Sequence, residues 1–142
     1  YQNVSQQSTC KSNCPIGSSI NNAKSSCDPC TIGQYQDQTN QMGCKSDCPA
    51  GSSIDIAKTS CSGCADGQYQ NQNDQVGCKS DCAVGHSITI EKTSCKICVA
   101  GQFQDQAKQT LCKICIEGQY QDIQGQLKCT HCGIGKFLSD RK

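Results

Sequence analysis

Tryptophan is missing from the 142 residues, and large aliphatic side chains are scarce: Leu, Ile, Val and Phe fill only 21 positions, about 15%. That is below the level from which an ordinary globular domain builds its apolar core. Charge of one sign is lacking too. Thirteen Lys and Arg against twelve Asp and Glu leave +1, which excludes the basic footprint of a nucleic-acid binder and any polybasic membrane patch. No run approaches the roughly 18 apolar residues of a membrane span. So little hydrophobicity would favour disorder if strong net charge accompanied it, and here it does not.

Cysteine takes the place of the core. There are 16, about 11% of the chain, a density that marks a disulfide scaffold and an oxidising, extracellular or cell-surface setting. Their spacing is periodic. The first members of successive pairs are Cys10, Cys27, Cys44, Cys61, Cys78, Cys95, Cys112 and Cys129. The second members are Cys14, Cys30, Cys48, Cys64, Cys82, Cys98, Cys115 and Cys132. Two kinds of 17-residue unit share this frame. A serine type reads "CKSDCPAGSSIDIAKTS" and an aromatic type reads "CSGCADGQYQNQNDQVG". They alternate as 34-residue super-repeats over 10–43, 44–77 and 78–111. A partial unit at 1–9 precedes them, and two further aromatic-type units, the last incomplete, fill 112–142.

A glycine follows each second cysteine by three residues, at Gly17, Gly33, Gly51, Gly67, Gly85, Gly101, Gly118 and Gly135, and that offset predicts a turn with positive φ. The following "QYQDQ" alternates like a short strand, and no stretch has an apolar 3.6-residue period. The expected fold is therefore small and disulfide-rich: an elongated array of short β-ribbons stacked as a rod, essentially without helix. Tyr35, Tyr69, Phe103, Tyr120 and Phe137 are taken as the only large apolar groups at constant register. Each is expected to lie against disulfides as a miniature core of one ring and two S–S bonds.

The spacing C-x2-C-x13-C-x2-C also lies near that of four-cysteine zinc sites. The C-x3-C pairs and the unremarkable charge argue for disulfides and no metal. Loops of about 17 residues would each stabilise by roughly 3 kcal/mol. Spacing does not fix the connectivity. The preferred scheme crosses neighbouring pairs, first to first and second to second (Cys10–Cys27 with Cys14–Cys30, and so on). A daisy chain, Cys14–Cys27 then Cys30–Cys44, is the alternative. The chemistry-bearing inventory is thin. His86 and His131 sit in different units without a recurring acid partner, and "NQND" around Asn71 and Asp74 does not recur as a calcium ligand set. No catalytic residue, cofactor or enzyme activity is expected.

The pattern C-x-x-C-x-x-G-x-[YF] followed by C-x2-3-C-P-x-G, running from about Cys10 to Phe137, resembles the tandem ephrin-receptor-like cysteine-rich repeat. Tumour-necrosis-factor-receptor-like modules and ciliate surface antigens share a similar grammar. The resemblance implies an extracellular array of the sort used in stalks, coats, adhesins and fibrous appendages. Ala83 departs from it, standing where Pro15 and Pro49 predict proline, and nothing carries receptor signalling over. Near-identical units point to a structural rod of a surface filament, appendage or coat, with self-association or neighbouring filament subunits as partners. A ligand-binding or adhesive ectodomain is the other class. It would show as an exposed apolar cluster in one or two units, for which Ile97, Val99, Ile114 and Ile116 are the candidates. A glycoprotein is expected, with Asn3 as its N-glycan site. Ser18, Ser19, Ser52, Ser53, Thr59, Ser60, Thr93 and Ser94 are candidate O-glycan sites on turns expected to face solvent. Tyr1 precedes Cys10 by the same nine residues that separate Tyr35 from Cys44, and the chain stops mid-unit after Phe137. Further 17-residue units are accordingly expected on both sides.

Overall fold

A computed structural model describes residues 13–136. Its local logic begins at the turn after each second cysteine. The N–H of Ser18 donates to the Pro15 carbonyl at 3.2 Å, and Gly17, third in that turn, has φ of 78°. A third residue with positive φ is the requirement of a type II turn, which glycine meets without a Cβ penalty. The same bond recurs from Gln34 to Thr31, Ser52 to Pro49, Gln68 to Ala65, Gln102 to Val99 and Gln119 to Ile116. All eight glycines at this offset have positive φ.

The turn aims the chain into a short strand that pairs back on the next cysteine pair. Three serine hairpins result: β1 (Ser18–Ile20) with β2 (Cys27–Pro29), β3 (Ser52–Ile54) with β4 (Cys61–Gly63), and β5 (His86–Ile88) with β6 (Cys95–Ile97). Two aromatic hairpins follow: β7 (Gln102–Phe103) with β8 (Lys113–Ile114), and β9 (Gln119–Tyr120) with β10 (Thr130–His131). Every pair is antiparallel. In the first two aromatic units the ribbon shrinks to single antiparallel bridges, Tyr35 to Lys45 and Tyr69 to Lys79, in the register of Phe103 to Lys113. The strands are short and there is no helix among the described residues, so the β-ribbon array expected from the repeat is what forms.

One disulfide staples each hairpin, and the pairing is the daisy chain: Cys14–Cys27, Cys30–Cys44, Cys48–Cys61, Cys64–Cys78, Cys82–Cys95, Cys98–Cys112 and Cys115–Cys129. This corrects the preferred crossed scheme. The physical reason is the turn. Reversal at Gly17 carries Cys14 back beside the incoming second strand, where Ile20 pairs with Cys27. Cys14 and Cys27 then stand at a Cα separation of 5.4 Å, within disulfide reach. Cys132 is half-buried and has no disulfide partner among the described residues, while Cys10 and Phe137 lie outside them.

Stacking uses backbone bonds at constant offsets. Gly17, Gly51 and Gly85 donate to the carbonyls of Gln36, Gln70 and Gln104. The N–H groups of those glutamines donate onward to Lys58, Lys92 and Gln126. Ile20, Ile54 and Ile88 donate to Gln41, Gln75 and Gln109, so each serine hairpin gains part of a third strand from the aromatic loop that follows. The longest side-chain bonds reach 28 residues, from the Lys58 and Lys92 ammonium groups to the Cys30 and Cys64 carbonyls. Among the described residues the hairpins thus bond to the next or next-but-one hairpin in sequence, the condition for an array propagating along one axis.

The miniature core differs from the expected one. Tyr35 packs with Cys48, Cys61 and Ile54, that is, against the disulfide and the isoleucine of the next serine hairpin. It holds one ring, one S–S bond and one aliphatic group, and it is shared between hairpins. The aromatics are not the only large apolar groups at constant register. Ile20, Ile54 and Ile88 recur every 34 residues, and Ile54 and Ile88 are completely buried. Replacing Ile54 by Ala should cost about 2–5 kcal/mol of local stability. Native-state hydrogen exchange over β3 and β4 would read this loss, and Ile32→Ala, at an 87% exposed site, should leave it unchanged.

Candidate functional site: a repeating surface braced by buried glutamine

The phrase GQ[YF]Q builds the most regular surface on the molecule. Its aromatic lies at the bridge of each aromatic ribbon, and the lysine opposite closes over the ring. The ammonium groups of Lys45, Lys79 and Lys113 sit 5.7, 6.0 and 5.7 Å from the ring centres of Tyr35, Tyr69 and Phe103. Each lysine also engages a residue two places beyond the aromatic: Asp37 at 2.7 Å, Asn71 at 2.6 Å and Asp105 at 2.5 Å. Tyr35 and Tyr69 donate their hydroxyls to Asp47 and Asp81 at 2.9 and 3.0 Å. Bonding to Asp47, followed by burial, raises the Tyr35 pKa, and burial followed by bonding to Asp81 raises that of Tyr69. The Lys45 hydrogen bond holds Asp37 below the usual carboxylate range, and Lys113 does the same for Asp105. In the last aromatic hairpin Thr130 replaces the lysine and Tyr120 is 40% exposed.

The second glutamine of the phrase was given no role by the sequence reading, yet it braces every aromatic loop. Gln36, Gln70 and Gln104 are buried polar side chains. Their Nε2 groups donate to the carbonyls of Gly43, Gly77 and Leu111, seven residues on. Their Oε1 atoms accept from the N–H groups of Gln38, Gln72 and Gln106. Gln121 repeats the pattern with Lys128 and Ile123. The signal was present: the glutamine recurs at the same register in four units. Gln70→Leu would remove the bonds to the Gly77 carbonyl and the Gln72 N–H, which belong to exposed residues, at about 0.5–1.5 kcal/mol for each bond lost. Exchange across loop 71–77 should accelerate in that variant and not in Gln68→Leu, whose side chain is only half-buried.

The serine loops are closed by a different device. An oxygen at their first position accepts from the N–H groups four and five residues on: Asn21 from Ser25 and Ser26, Asp55 from Thr59 and Ser60, and Thr89 from Thr93 and Ser94. Lys24, Lys58 and Lys92 then take positive φ at the loop corner.

The candidate glycan residues need one correction. Ser18, Ser19, Ser52 and Ser53 lie in β1 and β3 rather than on turns, because they pair with the second strand. All eight candidate O-glycan residues are half-buried. The Thr59 hydroxyl donates to the Asp55 carboxylate at 2.6 Å. Ser53 stands 3.2 Å from the Cys78 sulfur, and since a disulfide sulfur has no hydrogen the hydroxyl is the donor. Asn3 is outside the described residues. Among the remaining candidates, Asn71 accepts from Lys79 while Asp74 accepts from the N–H of Cys48 at 2.8 Å, so the two serve different partners. His86 contacts the Val84 carbonyl and His131 the Gln119 amide. Ile97, Val99, Ile114 and Ile116 are all exposed, by 45, 50, 72 and 69%.

Asp55 titrates where its counterparts Asn21 and Thr89 do not. The hydrogen bond from the Thr59 hydroxyl, with the two backbone donors, holds its pKa below the ordinary value. A depressed carboxylate contributes stability above the unfolded pKa of about 3.9 and loses it as pH falls through the folded value. Acidification below roughly pH 4 should therefore strip exchange protection, corrected for intrinsic rates, from the Thr59 and Ser60 amides. Thr93 and Ser94 should keep theirs, and Asp55→Asn should abolish the difference. Equal acid sensitivity of the two loops would overturn this account.

No family model matches the chain, and no curated protein matches it either. What characterises it is its own geometry: a cysteine-rich tandem array of short β-hairpins, each closed by one disulfide.

Proposed function

We propose that this chain is an extracellular structural protein, a disulfide-laddered repeat rod that forms or decorates a surface filament, appendage or coat, in the manner of ephrin-receptor-like arrays. The observation that carries the reading is the constancy of the stack. The same bonds join Gly17 to Gln36, Gly51 to Gln70 and Gly85 to Gln104, and the same lysine covers the same ring at 34-residue steps. A rod of copies presents one surface repeatedly, which suits heterologous contacts that propagate instead of closing. Its stability rests on covalent staples and satisfied backbone, a design for oxidising surroundings where disulfides persist. No helix among the described residues is long and apolar enough to cross a membrane. Glycans on the outer loops belong to the same reading.

The second reading, a ligand-binding or adhesive ectodomain, is favoured by one observation. Ile97, Val99, Ile114 and Ile116 are exposed where the preceding units carry Pro29, Thr31, Gly63 and Ala65. Electron microscopy of the native material separates the two. Filaments with an axial repeat are the expected result. Isolated particles that remain single at high concentration would overturn the filament reading and leave the adhesive one.

A further inference from the structure

Each of the three serine turns receives the aromatic loop of its own super-repeat, and in two of them the loop is fixed from both sides. Asn40, Asp74 and Lys108 donate their N–H groups to the carbonyls of Cys14, Cys48 and Cys82 at 2.9, 2.7 and 2.8 Å. In the first two super-repeats the same residue also accepts. Asn40 Oδ1 takes the Cys14 N–H and Asp74 Oδ1 the Cys48 N–H, both at 2.8 Å. Asn73 adds a second clamp in the middle super-repeat, accepting from the N–H of Ala50 at 2.9 Å.

The third super-repeat keeps only the backbone half. Lys108 stands in the place of Asn40 and Asp74, and Ala107 in that of Asn73. An ammonium donates without accepting and a methyl does neither, so no side chain at those positions can receive the Cys82 or Val84 N–H. The Cys82 N–H has no acceptor in hydrogen-bond geometry among the described residues, and Cys82 is 1% exposed, so water does not serve it. Two supports are missing from the turn itself. Pro15 and Pro49 fix the backbone where their turns begin, and Ala83 does not. The bond that closes the turn from Ser18 to Pro15 and from Ser52 to Pro49 has no counterpart of that geometry from His86 to Ala83. His86 contacts the Val84 carbonyl inside the turn and ties nothing across to the loop.

These losses coincide at one place while the hairpin behind them is whole: Ile88 is completely buried and Cys82 is joined to Cys95. A buried N–H without a partner regains one from water on opening, so opening costs less here than at Cys14 or Cys48. Alanine also lets the opened turn gain freedom that proline would withhold. We propose that turn 82–86 is the joint of the array, where the hairpin β5–β6 parts from loop 104–111 of the ribbon that follows. Cys82–Cys95 and Cys98–Cys112 keep both ribbons closed meanwhile. Parting releases the bonds from Gly85 to Gln104 and from Ile88 to Gln109, which stack one ribbon on the other. The array thereby bends at one point without unravelling a hairpin. The inference concerns the array alone and stands whether or not the chain builds filaments.

The test is native-state amide exchange by NMR on the oxidised protein. It compares the N–H groups of Gly85, Ile88 and Lys108 with their counterparts at Gly51, Ile54 and Asp74. Corrected for intrinsic rates, the first three should exchange roughly ten- to a hundredfold faster. The Gly101 N–H, which bonds to Gln121 further along the chain, should be slower than that of Gly85. Lys108→Asn with Ala83→Pro, copying Asn40 and Pro15, should bring the first three amides to within about threefold of their counterparts. The converse pair, Asp74→Lys with Pro49→Ala, should create a second joint and accelerate Gly51 and Ile54. Equal protection of the two sets in wild type overturns the proposal. A steady loss of protection along the chain, with Gly101 faster than Gly85, overturns it in favour of fraying from one end. Unchanged rates in the first variant overturn it by clearing Lys108 and Ala83 of the effect; if that variant fails to fold, unchanged rates at Gly51 and Ile54 in the converse pair do so.

Discussion

Every stacking contact in this molecule depends on a hairpin being held shut, and one disulfide between neighbouring cysteine pairs holds it. Cys14–Cys27 closes the ribbon from which Gly17 donates to Gln36, and Cys30–Cys44 closes the ribbon in which Gln36 sits. Ribbons of two or three residues per strand have no independent stability in water. The staple removes most of the freedom such a ribbon would regain on opening, by about 3 kcal/mol for a loop of this length in the chain-entropy view. With the staples in place, a bond between two loops orders little further chain, and the modest net worth of a hydrogen bond suffices to stack the units.

The interior is correspondingly polar for its size. Three of its fully or nearly buried side chains are glutamines, which would cost several kcal/mol each if left without partners. Both ends of each are satisfied, and no buried side-chain N or O among the described residues lacks a partner. A chain with 21 large apolar residues cannot fill a conventional core, so the amide does what an aliphatic group would do elsewhere, with the difference that it also dictates loop geometry. Gln36 ties residue 38 to residue 43 and leaves the loop between them one path. Specificity of shape here comes from hydrogen bonds, and among the described residues the buried apolar side chains other than cysteine are Ile54, Ile88 and Tyr35, the last packed beside the Cys48–Cys61 disulfide.

How much of this was legible in the sequence varies with the kind of constraint. The positive φ of Gly17 and its counterparts could be read, because a left-handed backbone position is what selects glycine at one fixed offset unit after unit. Ribbons without helix could be read from alternation. The pairing of cysteines could not. Closing 17 rather than 13 residues changes the loop entropy by only about 0.2 kcal/mol, far too little to choose between schemes. The choice is made by where the turn sends the chain, a property of three-dimensional geometry. Ile54 and Gln70 went unread for a different reason: each stands among many residues of its own type, so its recurrence is less conspicuous than that of a cysteine, a glycine or a ring. A residue repeated every 34 places is under the same constraint whatever its type. The lysine over the ring was beyond reach, since Tyr69 and Lys79 meet only once the bridge register is known.

The end of the alternation at Cys112 shows which part of the stack is indispensable. From that point an aromatic hairpin occupies the slot that a serine hairpin fills elsewhere. The Gly125 carbonyl faces Gly85 as Ala57 and Glu91 face Gly17 and Gly51, with the same offset of 40 residues, and Gln126 accepts from Gln104 as Lys58 and Lys92 accept from Gln36 and Gln70. The left-handed corner moves one place earlier, from Lys58 and Lys92 to Gly125, and the register survives. Stacking is thus written in backbone groups and in the absence of a Cβ at the turn glycine, and it is indifferent to hairpin type. The outer side chains are released from structural duty. That is why Ile97, Val99, Ile114 and Ile116 can replace Pro29, Thr31, Gly63 and Ala65 on the surface while the bonds beneath keep their offsets. A rod built this way can change what it shows to its surroundings one unit at a time without changing its step.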